Sequence, residues 1–212
     1  MTSTDEPWLD LLDAALAAGP KLILSAVEFD AACDHVLQLL EDAHLLWSTR
    51  SYPSAAFLAI TALEETAKVH VGMYRTGSEP AKRGADPLYG HSQKHALAVG
   101  PTVAMGSRLP AAIGQERASA VLARAASKEL RLVREACLYL ERSKDDLQIP
   151  GERISREDAK DLLLLAIEAF DDALVGYTAH SMEIGSRADV LFSATAAEHA
   201  DEAADPAAGT PV

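Results

Sequence analysis

The residues Ser54 to His70, SAAFLAITALEETAKVH, constrain this chain more than any other stretch. The first ten are apolar or small, with no Gly and no Pro after Pro53. They lead into two adjacent carboxylates, Glu64 and Glu65, and then Lys68. At helical spacing Phe57, Ile60, Thr61, Glu64 and Lys68 lie along one face, and Leu58, Ala62, Glu65 and Val69 along the adjoining one. Both stripes are apolar before they become charged, so at least one carboxylate is expected to point into a packed interior. A buried carboxylate must find a cation or hydrogen-bond donors, or it takes up a proton. The plainer alternative is a surface Glu64–Lys68 pair at i,i+4, worth a few tenths of a kcal/mol.

A helix of that kind needs helical neighbours, and the composition supplies them. Hydrophobic residues make up 49% of the 212 and aromatics only 5%, with abundant Ala and Leu, which favours helices packed through small residues. The length suits one sizeable domain with extras. A net charge of −13 argues against a protein that coats nucleic acid. Cys33 and Cys137 lie far apart without metal-type spacing and read as reduced core thiols of a cytoplasmic protein. No apolar run approaches about 20 residues and the N-terminus is acidic, so neither a membrane span nor a signal peptide is expected.

Thr4-Asp5-Glu6-Pro7 starts a short helix that ends at Gly19-Pro20, an accessory element over residues 1–20 that must dock on the main body. Residues 21–187 form the helical domain. Periodicity predicts long helices near 26–49, 54–74, 115–145 and 155–186, an up-and-down four-helix bundle of all-α class. The break at Ser51-Tyr52-Pro53 makes the first two antiparallel neighbours. Ser155 and Asp158 have the spacing of a capping box at the start of the fourth. Between the second and third lies a long, turn-rich connection with a net basic character, holding one short helix from about His91 to Val99. After Arg187 no Lys or Arg remains, and residues 188–212 read as an acidic, largely disordered tail, with some helix continuing through Val190-Leu191-Phe192.

In such a bundle the second and third helices can face each other, bringing Glu64 or Glu65 to Arg134, which shares a flank with Leu130, Cys137 and Leu138. Glu64, Glu65, Lys68 and Arg134 are then expected to form one network, with His91 and Lys94 delivered to its mouth by the connection. His91, Lys94 and His95 share one helical face. No metal is expected, because His91 and His95 at i,i+4 lack the following acid of a zinc motif, and no cofactor motif is present. Arg117, Arg124 and Arg131 recur every seven residues beside Lys128, a row that is either a solvated face or a contact for an anionic partner.

The phrases Phe57-Leu-Ala-Ile-Thr-Ala-Leu-Glu64-Glu65-Thr-Ala-Lys68, His91-x-x-Lys94 and Arg134-Glu-Ala-Cys-Leu-Tyr139, in that order, resemble the AbiV abortive-infection family, a branch of the HEPN superfamily of helical bundles. The resemblance covers roughly residues 26–180. It implies a bacterial anti-phage protein acting in the infected cell, commonly as a homodimer, with Tyr139 joining the polar network. Many HEPN proteins are metal-independent ribonucleases with an Arg followed closely by a His. Here Arg134 is followed by no His until His180, and Arg83 to His91 has one residue too many. Two functions therefore stand. One is a defence protein that binds a phage or host component; the other is a ribonuclease using His91 as acid/base, with Lys94 and Arg134 stabilising phosphorane charge.

Overall fold

The second predicted helix is the axis of the molecule. In the computed structural model, which describes residues 6–144 and 146–197, it is α3, Tyr52–Tyr74, and it is buried on most of its circumference. Ala55, Ala56, Ala59, Ala62 and Ala67 let neighbouring helices approach closely from several sides. Before it come α1 (Glu6–Ala17) and α2 (Ala26–Ser48). The Ser25 side chain accepts a hydrogen bond from the Glu28 amide and caps α2, and the Glu28 carboxylate accepts in turn from the Leu24 amide. Arg50, in the left-handed region at φ 66°, turns the chain from α2 into α3 within three residues.

The connection after α3 is folded throughout. It contains α4 (His91–Ala98), α5 (Pro101–Met105) and α6 (Arg108–Ile113). Its start is fixed where the Arg75 guanidinium bonds to Asp86 and donates to the Ala15 carbonyl, tying it to α1. Trp8 of α1 donates to the Ala96 carbonyl at 3.0 Å, so the accessory helix docks on α4. At Gly72 a Cβ would come within 2.8 Å of the Leu22 side chain, and the segment before α2 hydrogen-bonds to that same turn of α3.

The expected continuous helix over 115–145 is two helices and a hairpin. α7 (Gln115–Ala126) ends where the Ser127 hydroxyl accepts from the Glu129 amide, and α8 (Glu129–Ala136) starts afresh. A serine side chain that offers the backbone a local partner competes with the helical ladder. Past α8, strands β1 (Glu141–Arg142) and β2 (Leu147–Gln148) pair antiparallel. After the short α9 (Pro150–Arg153), the expected capping box is present: Ser155 and Asp158 satisfy each other's backbone amides and open α10 (Arg156–Leu174). α10 stops at Val175, and Gly176 at φ 99° turns the chain into α11 (Ala179–Ala197), so the fourth predicted helix is also two. α11 runs past the expected start of the tail at residue 188, burying Ala188, Phe192 and Thr195. Residues 198–212 lie outside the described residues.

The core is thus α2, α3, α10 and α11 packed side by side, with α4, α7 and α8 closing the remaining flank of α3 and α10. The all-α expectation holds. Among the described residues no helix is long and apolar enough to cross a membrane.

Candidate functional site

Ile60, Leu63 and Ala67 are buried on α3, and Glu64 lies among them with 2% of its surface exposed. Four side chains converge on its carboxylate. Three come from one face of α4: Lys94 Nζ donates to Oε2 at 2.6 Å, His95 Nε2 to Oε1 at 2.9 Å, and His91 Nδ1 to the two oxygens at 2.8 and 2.9 Å. The fourth is Arg134 of α8, whose Nε stands 3.4 Å from Oε1 in an ion pair without hydrogen-bond alignment. Its guanidinium lies over the Phe57 ring, 4.7 Å from the centroid.

Burial alone would raise the Glu64 pKa. The hydrogen bonds and charge of His95 and Lys94 outweigh it and lower the pKa to about 2. An ionised carboxylate only accepts, so the geometry assigns the tautomers: His91 carries its proton on Nδ1 and His95 on Nε2. His95 is fully buried, and its Nδ1 meets no partner among the described residues. His91 differs, with a side chain 41% exposed whose Nδ1 is held by Glu64, while no hydrogen bond of its Nε2 is found among the described residues. The chemistry open to this arrangement is limited. Lys94 is spent on Glu64, and His91 alone offers a reactive nitrogen.

The structure therefore brings together Glu64, Arg134, His91 and Lys94, and leaves Glu65, Lys68 and Tyr139 out. Glu65 pairs with Lys68 at 3.0 Å on a partly exposed face of α3. One residue step turns a helical side chain by about 100°, enough to send Glu64 inward and Glu65 outward. The i,i+4 Glu64–Lys68 pair gives way to this i,i+3 pair. Tyr139 sits beyond α8 and is 64% exposed, next to Leu138 and Leu140. His95 is the member that spacing did not place in the network. Its signal was the position four residues after His91, which puts both rings on the face that α4 turns to α3. Among the described residues no group of three or more His, Cys, Asp or Glu is arranged to hold a metal ion.

The basic row is not free either. Arg117 donates through two nitrogens to Asp161, Arg124 pairs with Asp158, and Arg131 with Glu135. At the end of the connection Arg108 lies between Glu168, Asp171 and Asp189 and over the Phe192 ring.

Residues 28–169 match the sequence model of the AbiV family within the HEPN group. Neither the curated proteins nor the solved structures include a match to this chain.

Proposed function

The chain belongs to the AbiV family of HEPN proteins, and from that premise we propose that it is a bacterial abortive-infection protein that protects against phage by binding a phage or host component. It works in the cytoplasm of the infected cell, as a homodimer. The observation that carries the binding reading is the fate of the cations. The basic side chains of the long connection and of the seven-residue row, which an anionic substrate would need, are largely committed to carboxylates of the same chain. Lys94 is held by Glu64, Arg75 by Asp86, Arg108 by three acids, and Arg117, Arg124 and Arg131 by one each. On a chain of net charge −13 this leaves little positive surface to hold a polyanion.

One observation favours ribonuclease activity instead. Glu64 accepts from His91 Nδ1–H and so aims Nε2 outward, the orientation a general acid/base requires, with the Arg134 charge close by. The experiment that decides is incubation of the purified protein with total RNA in EDTA, beside phage plating of cells carrying wild type or His91→Ala. The binding reading expects intact RNA and protection that survives the substitution. RNA degradation that disappears with His91→Ala would establish the nuclease instead. The homodimer is tested by light scattering, which should give twice the chain mass at micromolar concentration.

A further inference from the structure

Six histidines lie among the described residues, and they differ in which ring nitrogen is left free. His95 is sealed, with Nε2 on Glu64 and Nδ1 buried. His44 spends Nδ1 on Thr195, and His70 is partly buried against the Tyr74 ring. Three are more open: His35, His91 and His180. His35 is exposed and has no hydrogen-bond or ion-pair partner among the described residues. His180 gives Nε2 to Asp34, a carboxylate that is itself mostly in water, and keeps only Nδ1, the nitrogen crowded by its own backbone.

His91 is arranged the other way round. Its Nδ1–H is given to the buried, ionised Glu64, and Nε2, the nitrogen farther from the backbone, keeps its lone pair. A carboxylate on one ring nitrogen fixes the tautomer and makes the other nitrogen more basic and more nucleophilic. Arg134 indicates the class of electrophile. Its Nε and His91 Nδ1 approach the same oxygen, Glu64 Oε1, at 3.4 and 2.8 Å, and no hydrogen bond of its guanidinium is found among the described residues. Unfilled guanidinium donors beside a nucleophilic nitrogen suit a phosphoryl group, whose oxygens accept charge-assisted hydrogen bonds. Lys94 is held at 2.6 Å by Glu64 and adds nothing. The site therefore offers one free cation, which matches a single phosphoryl group and not a chain of phosphates.

We propose that His91 is a phosphohistidine site, its Nε2 accepting one phosphoryl group from a small phosphoramidate donor. The Nε2 lone pair forms the new N–P bond as the donor's P–N bond breaks and ammonia leaves. Nδ1 keeps its proton on Glu64, so the positive ring lies between two anions. The product brings roughly two negative charges to Arg134. This goes beyond both readings of the function, because it needs neither a partner protein nor RNA.

The test treats the full-length protein with potassium phosphoramidate at neutral pH. Mass spectrometry maps the phosphohistidines, and phosphorus NMR tells the Nε2 product from the Nδ1 product. His91 should react at least tenfold faster than His35 and His180 and give the Nε2 product. In denaturing urea that preference should vanish. Arg134→Gln, with unchanged circular dichroism, should slow His91 at least threefold and leave His35 as it was. Equal rates at the three histidines, no reaction at His91, an Nδ1 product, or a preference that persists in urea each overturn the proposal. Full speed at His91 in Arg134→Gln does so too. If that variant fails to fold, the wild-type rates decide alone.

Discussion

Glu64 is enclosed by His91, Lys94, His95 and Arg134, whereas on the α2–α11 side Glu183 is exposed, Glu41 pairs with Arg187 and Asp189 pairs with Arg108, and each pair is open to water. The two regions are charged for opposite reasons. Inside, an unpaired carboxylate would cost several kcal/mol, and two helices, α4 and α8, bring donors to it. Outside, water already solvates the acids, so pairing is not forced and each exposed pair adds little to stability. A buried ion network is evidence about how this bundle is held together.

That contrast can be broken most directly at its centre. Glu64→Ala leaves Lys94 and Arg134 in a dry site without their counter-ion and is expected to cost about 3–5 kcal/mol in denaturant melts; a loss below about 1 kcal/mol would make the cluster equivalent to a surface pair. The same charge sets a pH dependence. The folded pKa is depressed to about 2 from the ordinary value of 4.5. The stabilisation is therefore complete above pH 4.5 and is lost as pH falls toward 2, by roughly 3 kcal/mol. Glu64→Gln should remove that component of the acid limb, and an unchanged acid limb would contradict the assignment. Arg134→Ala comes next, at about 1–2 kcal/mol. Its nitrogen stands farther from Glu64 than the other donors, and its side chain is partly exposed. The smallest effect belongs to Glu65→Ala, under about 0.5 kcal/mol, because its pair with Lys68 is partly exposed to water. A Glu65 effect as large as that of Glu64 would erase the distinction between inward and outward carboxylates.

Part of this was legible in the sequence. The apolar stripe through Phe57 and Ile60 pointed Glu64 inward, and the guanidinium on the Leu130 flank was its natural partner. The turn-rich connection named His91 and Lys94. Other residues escaped because the deciding step is finer than the periodicity that reveals a helix. Glu64 and Glu65 differ by a single residue, and both stripes looked apolar. Ser127 is tolerated inside many helices, so only its hydrogen bond to the Glu129 amide marks the break between α7 and α8. Leu138-Tyr139-Leu140 continued an apolar pattern that the chain spends outside the core. Gly176 reads as a local blemish until its positive φ turns α10 into α11.

Glu64 also bears on the order of folding. α2 and α3 are joined by three residues and can pair early, since few loop residues must be ordered first. The donors for Glu64 lie 27, 30 and 31 residues further along, and Arg134 much further. Until they arrive the carboxylate must keep its water, so that turn of α3 stays hydrated on the flank that α4 and α8 later cover. Glu64 then acts as a late checkpoint, dehydrated only when α4 and α8 are both in place. Its substitutions should speed unfolding and leave the refolding rate almost unchanged, a φ value near zero.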